Sequence, residues 1–312
     1  MRSMGLDGLL VIGAVLGMNG GVWGSPPSDD YVLTWGDEFN GNALDLTKWQ
    51  YTQEGKKRHD ATITRDAVSV KNGLMEIRAW SEYNDPNDIL KPTKHYTGIV
   101  GTRSEFLEKR DPNATETFAP VFGYMEARIK FTQRRGTWGA FWLQSPTYGK
   151  DKTDHAGSGM EIDVIEHRGT KRSNTSLHWG SYGNADHHVW GNDLSDAWIN
   201  PDDGQFHTLG MEWTDDHLKF YYDGVHRLTF DDPAVVPDVK EAIYFSLTVN
   251  EDSSFGGKLP SYGLSYKNND PFNAYVQVDY FRYYSQVVPE PSADILLMGL
   301  GSLFLRRRCV RG

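Results

Sequence analysis

Three carboxylates fall within six residues at Glu161, Asp163 and Glu166, inside the run Gly-Met-Glu-Ile-Asp-Val-Ile-Glu-His-Arg. Ile162, Val164 and Ile165 separate them, and branched apolar residues at this density predict a strand. Strand side chains alternate between faces, so Glu161 and Asp163 share one face while Ile162 and Val164 pack on the other. Glu166 is out of phase unless one extra residue is absorbed. A β-bulge at Val164-Ile165 does this and turns all three acids into the same space. Such crowding costs a fold free energy, because neighbouring carboxylates resist joint ionisation. It serves glycoside hydrolysis, in which two carboxyls about 5–5.5 Å apart let one attack the sugar while the other shuttles the proton. The competing reading is a solvated acidic edge strand, but edges favour Lys and mixed charge over three clustered acids.

The same run resembles the signature of glycoside hydrolase family 16, in the longer form that carries the bulge. Other blocks resemble that family in the right order. They are Trp35-Gly-Asp-Glu-Phe-Asn40 with Leu44-Asp45 and Lys48-Trp49, then Gly123-Tyr-Met-Glu-Ala-Arg-Ile-Lys-Phe131 and Gly136-Thr-Trp-Gly-Ala-Phe-Trp-Leu143. Ser176-Leu-His-Trp179, Phe206-His-Thr-Leu-Gly-Met-Glu-Trp213 and Val278-Asp-Tyr-Phe-Arg282 follow. The match covers roughly residues 31–285. It implies that Glu161 is the nucleophile and Glu166 the acid/base, with Asp163 between them to tune both. It implies no cofactor for catalysis. It also implies a structural calcium at Glu38, the carbonyl of Gly73 and Asp279, a set of oxygen ligands that suits this ion.

The elements that must position these residues read as strands. Met125, Ala127, Ile129 and Phe131 alternate with Tyr124, Glu126, Arg128 and Lys130, and Ile243–Val249 alternates likewise. Leu218–Tyr222 runs into Asp223-Gly224, a hairpin signal. Many short strands, 32 glycines and no sustained helical period predict an all-β, antiparallel sandwich. The family resemblance sharpens this to a β-jelly roll of the concanavalin A kind, with a concave substrate groove. Long irregular stretches at Asn84–Tyr96, Arg110–Pro120, Thr147–Ser158 and Ser181–Asp203 are expected at the groove rims.

Several residues are expected to line that groove. Trp138 and Trp142 share strand parity, and indole stacks well on the C–H face of a sugar. Trp142 reads equally well as core. His178 and Trp179 follow on a strand after the catalytic one, and a structural histidine is the plain alternative for His178. Glu126 and Arg128 share a face with Tyr124 and resemble family residues that contact sugar hydroxyls, or they form a simple ion pair. Asn250 has groove-facing parity with Thr248, although Leu247–Gly257 departs from the Asn-rich pattern of the laminarinase branch.

The ends carry addresses rather than chemistry. Residues 1–24 combine Arg2, an apolar stretch and small residues, and read as a signal peptide. Residues 25–287 form the catalytic domain. The segment 288–312 holds Pro289-Glu290-Pro291, the apolar run Ile295–Leu305 and Arg306-Arg307-Arg308, and resembles a PEP-CTERM sorting tail. That resemblance implies sorting machinery as a partner and a place outside a Gram-negative-type cell, secreted or held at its surface or matrix. Eleven apolar residues reach only about 16 Å, short of a bilayer core near 30 Å. The lone Cys309 excludes an intrachain disulfide. The two ends hold five Arg and three acids, so formal charge moves from −10 for the chain to about −12 for the domain. No basic footprint for nucleic acid exists, and a monomer is expected.

The leading expectation is a secreted retaining endo-β-glycanase acting on a polysaccharide, a β-1,3- or mixed-linkage β-glucan first. A β-galactanase on agar, porphyran or carrageenan is the alternative. A non-catalytic lectin or a matrix scaffold would not require three retained acids. The acidic domain disfavours a sulfated polymer at long range. The basic runs Lys56-Lys57-Arg58, Arg134-Arg135, His167-Arg168 and Lys171-Arg172 pull the other way, but are expected to be solvated rim residues.

Overall fold

Apolar alternation over short stretches, interrupted by Gly, Asn and Asp, favours pleated strands that each bury one face. The computed structural model describes residues 25–83, 92–131, 134–169, 172–183, 185–195, 198–250, 252–253, 256–259, 261, 263–264 and 274–287. The expected signal peptide and tail therefore lie outside the described residues. So do most of the stretch from Asn84 and part of the segment after Asn250.

Two large sheets face each other. The seven-stranded sheet runs in the order His188–Asp193, Arg172–Trp179, Glu161–Arg168, Thr137–Gln144, Ala242–Val249, Ile99–Gly101, Gln50–Tyr51. The catalytic strand Glu161–Arg168 thus sits between Arg172–Trp179 and Thr137–Gln144, paired antiparallel to both. The larger sheet is built on Gly123–Phe131, Ala274–Gln286, Leu74–Tyr83 and His207–Trp213. Among the described residues pairing is antiparallel except between Ala61–Ile63 and Pro92–Thr97. The described helical content is the single turn His155–Ser158 and a 3-10 turn at Arg65–Ala67.

The core lies between the sheets. Phe141, Ile162, Val164, Ile165, Leu177 and Phe245 meet Met125, Ala127, Ile129, Met211, Val278 and Phe281, all fully buried. The approach is close at Gly139, where an added Cβ would lie 2.5 Å from Val276 and 2.7 Å from Phe131. The N-terminal blocks are explained by one carboxylate. Asp37 accepts hydrogen bonds from the indole of buried Trp49 (3.0 Å) and the backbone N–H of Phe39 (2.9 Å), tying Trp35–Asn40 to Lys48-Trp49. The domain closes where it began: Tyr31 pairs with Gln286, and the Val287 N–H donates to the Asp30 carbonyl.

This architecture corrects two expectations. Gly123–Phe131 belongs to the larger sheet, with Met125, Ala127 and Ile129 pointing into the core, so Tyr124, Glu126 and Arg128 face away from the seven-stranded sheet. Glu126 is completely buried there and accepts from Tyr124 at 3.2 Å, while Arg128 pairs with Asp279 at 2.6 Å. Neither lines the groove. Alternation told which residues share a face, but not which sheet the strand joins. The calcium set fares no better. Asp279 is taken by Arg128 and Glu38 by both forks of Arg282, at 2.7 and 2.9 Å. With each carboxylate neutralised by its own guanidinium, the side chains of Glu38 and Asp279 as arranged here do not suit a calcium ion.

Candidate active site

The catalytic strand carries its bulge at Val164-Ile165. Gln144, Trp142 and Ala140 stand opposite Glu161, Asp163 and Glu166, whereas Val164 has no partner on that side. On the other side Ser176 and Asn174 face Asp163 and Glu166, leaving two residues against the single Thr175. At this irregularity the Val164 carbonyl accepts from Thr175 Oγ1 at 2.8 Å. Val164 and Ile165 both insert into the core, and the three acids point to the opposite face.

Neutral donors hold the acids. Glu161 receives Gln144 Nε2 on one oxygen and the Tyr182 hydroxyl on the other. Ser176 donates to Asp163 Oδ2 at 2.7 Å, and the same hydroxyl lies 3.3 Å from Glu166. Asn174 Nδ2 donates to Glu166 at 2.9 Å. Burial raises all three carboxyls to about 7, and the charge of Asp163 adds to the rise at Glu161 and Glu166. The cluster therefore holds protons well above the usual carboxylate range, and its members influence one another's titration. Charge settles best on Glu161, which has a donor on each oxygen, and a proton on Glu166.

The other expected groove residues separate. Trp138 stands across from Arg168 and Thr248, half-buried, with the His59 ring edge-on at 5.1 Å. Asn250 follows at the end of the next strand, its N–H donating to the Gly136 carbonyl at 2.8 Å. His178 lies beside the acids, with Nε2 3.5 Å from Asp163 and Nδ1 3.2 Å from His187. Trp142 is on the acidic face but only 3% exposed, roofed by Phe106 and Tyr244, with its indole donating to Ser246. It is wall rather than sugar platform. Trp179 points the other way from His178, toward Phe230 and the core, because adjacent strand residues cannot share a face.

Arg58 overturns its reading as a solvated rim residue. Its guanidinium lies over the rings of Phe106 (5.2 Å) and Trp142 (5.5 Å), close enough to Glu161, Glu166 and Asp163 to feel their charge. Its Nη1 is shielded from solvent and has no hydrogen-bond partner among the described residues. Arg168 is likewise engaged, with Asp193, and His167 is buried between Ser173 and Asp202. Glu161, Asp163 and His178 offer ligand atoms within 4.8 Å of one another. The nearby Arg58 cation opposes a resident metal there.

Sequence reasoning missed Gln144, Asn174 and Ser176, though simple parity with Trp142 and His178 locates them. Arg58 and Tyr182 sit outside the periodic strands and give no such signal. Glu241 was also missed. Wholly buried, it accepts the Met160 N–H at 3.0 Å and so fixes the residue before the nucleophile. Gly159, at φ +72°, makes room: an added Cβ would lie 2.2 Å from Ser145 Cβ and 2.8 Å from Glu241 Oε1. Gly159→Ala is expected to cost about 2–3 kcal/mol and lower the melting temperature by roughly 5–10 °C, with turnover falling as Glu161 shifts. Thermal melts and initial rates check this; a variant melting within a degree of wild type would refute it.

Comparison with known proteins decides the family. The model of the β-porphyranase A–D GH16 domain matches residues 31–286. The chain belongs to glycoside hydrolase family 16. A PEP-CTERM protein-sorting motif matches residues 287–311 directly after this family 16 domain. The glucan endo-1,3-β-glucosidase A1 of Niallia circulans is 26% identical over 289 residues, covering 81% of this chain and 38% of that protein. The β-porphyranase B of Phocaeicola plebeius is 29% identical over 233 residues, covering 65% of this chain and 67% of that protein. The chain thus spans well under half of the first of these. The laminarinase catalytic domain of Thermotoga petrophila RKU-1 shares the fold, with a TM-score of 0.62 at 19% identity over 83% of this chain and 99% of that one.

Proposed function

We propose that this family 16 domain is a retaining endo-β-glycanase that cleaves a polysaccharide by double displacement. The bulged strand carries the reading, since it gathers Glu161, Asp163 and Glu166 on one face. Ionised Glu161 attacks the anomeric carbon and the glycosidic C–O bond breaks. Its electron pair leaves with the oxygen, which takes the proton of Glu166. Water then gives its proton to Glu166, attacks the same carbon and releases the Glu161 carboxylate. Asp163, hydrogen-bonded to Ser176, keeps the two outer acids from ionising together.

For substrate we put a sulfated β-galactan of the porphyran kind first. A shielded guanidinium with an unused donor, in a wall beside the acids, suits an oxyanion on the sugar. The porphyranase description of the matching family model points the same way. A neutral β-1,3-glucan is the second reading, favoured by the glucosidase relative. The sorting motif supports action outside the cell, with export machinery as a partner.

Purified protein should be tested on porphyran, agarose, κ-carrageenan, laminarin and mixed-linkage glucan at low and high salt, scoring new reducing ends. Porphyran is expected to be cleaved best. Arg58→Met should reduce that activity about 10–100-fold more than it reduces cleavage of any unsulfated polymer, which loses only the support that the Arg58 charge gives to ionised Glu161. Cleavage of laminarin alone, with porphyran untouched, would establish the glucan reading instead.

A further inference from the structure

We infer that Tyr182 is a further catalytic residue, holding one oxygen of Glu161 at rest and yielding that oxygen to the anomeric carbon. The inference rests on the retaining reading above. Tyr182 lies between the strands Arg172–Trp179 and His188–Asp193. From there its hydroxyl donates to Glu161 Oε1, while Gln144 holds Oε2.

The two donors are built differently. Gln144 stands on a central strand and is buried, so its grip on Oε2 is fixed through both displacements. Tyr182 is 46% exposed, outside any strand, yet its ring is placed by three others: Tyr148 at 5.2 Å, His187 at 4.7 Å and His178 at 5.6 Å. Its exposure together with its bond to Glu161 puts it on the open side of the nucleophile, where a sugar must arrive. Although the residue as a whole is part-exposed, the surroundings of its hydroxyl keep water from it, and this together with the nearby Glu161 charge pushes the phenol up, so it remains a donor throughout the working range.

This asymmetry assigns the attacking atom. Attack forms a bond from the anomeric carbon to Oε1 and breaks the glycosidic C–O bond, whose electron pair leaves with an oxygen protonated by Glu166. Tyr182 keeps its own proton and only surrenders a hydrogen bond as charge drains from Oε1. In the second step it meets the returning charge. A donor that engages the carboxylate but not the ester favours departure of Glu161 from the sugar and lowers its proton affinity beforehand. Glu161 also feels Asp163 and His178 from its own sheet, Arg58 from the wall and Glu241 from behind. The hydroxyl of Tyr182 is the one donor on Oε1 among the described residues.

Tyr182→Phe tests this, since it removes the hydroxyl and keeps the ring. The substrate is a 2,4-dinitrophenyl glycoside of an oligosaccharide released from whichever polysaccharide is cleaved. Steady-state turnover, limited by deglycosylation for this leaving group, is expected to fall about 10–100-fold. The acidic limb of the kcat/KM profile should move to higher pH, because Glu161 loses a donor that favours its charge. The melting temperature should hold. Unchanged turnover together with an unmoved acidic limb would overturn the role. If wild-type protein releases a product of inverted configuration, the retaining reading itself fails, and Tyr182's role falls with it.

Discussion

Glu161→Ala is expected to abolish hydrolysis, with turnover reduced by about 10⁴-fold or more. The side chain supplies the bond that splits one hard step into two, and no neighbouring carboxyl can replace it: Asp163 is held by Ser176 on the same strand face and Glu166 is committed to the proton. Azide, small and anionic, should enter the vacated space and attack an activated substrate from the same side. The product would be a glycosyl azide of inverted configuration, identifiable by NMR. Wild-type rates in the alanine variant would end the assignment. The isosteric Glu161→Gln adds a thermodynamic readout. Burial raises Glu161 from 4.5 to about 7. Between those values the folded protein keeps a proton that the unfolded chain has released, so stability falls as pH climbs from about 4.5 to 7. Removing the titration should raise the melting temperature most above pH 7 and least below pH 4.5.

Glu166→Ala is expected to act by substrate. A sugar oxygen in a polysaccharide leaves poorly without a proton, whereas dinitrophenolate needs none, so the two reactions weigh the acid differently. Polysaccharide cleavage should fall about 10³–10⁴-fold. Formation of the glycosyl-enzyme from the aryl glycoside should barely change, leaving a burst followed by slow deglycosylation that azide accelerates. Equal losses on both substrates would mean that Glu166 supports the strand rather than the leaving group. Asn174 offers an internal comparison. Its amide touches Glu166 at 2.9 Å, so its loss should move the alkaline limb of the pH profile without erasing the preference for good leaving groups.

The bulge was legible because it announces itself as a phase error: acids at 161 and 163 agree, and 166 does not, in a run too apolar to be anything but buried on its other side. The sandwich was legible for the same reason, through alternation repeated along the chain. What alternation cannot tell is which of two sheets a strand joins. Glu126 and Arg128 were placed in the groove on a correct face of the wrong sheet. Trp179 was paired with His178 against the rule of alternate faces. Trp142 has the right face, yet Phe106 and Tyr244 cover it, and a roof contributed by distant segments leaves no trace in local periodicity. Arg58 and Tyr182 illustrate the same limit from the other side. Both reach the acids from irregular or edge segments, where position is set by tertiary packing alone.

The pairing of Tyr31 with Gln286 brings the two ends of the domain within one interstrand spacing, about 5 Å. A module whose ends emerge side by side behaves like a plug on a single stem. It can be spliced into a longer polypeptide without prising its neighbours apart, and relatives much longer than this chain are consistent with such reuse. It also means that anything fused at residue 287 hangs from the far sheet, not from the cleft. A tether there would leave the open face free to sweep along an insoluble or gel-like polymer. New termini for a permuted enzyme could be opened after Gly224, the exposed residue of the hairpin turn, once the native ends are joined, leaving Asp223 bound to His207 and Thr208.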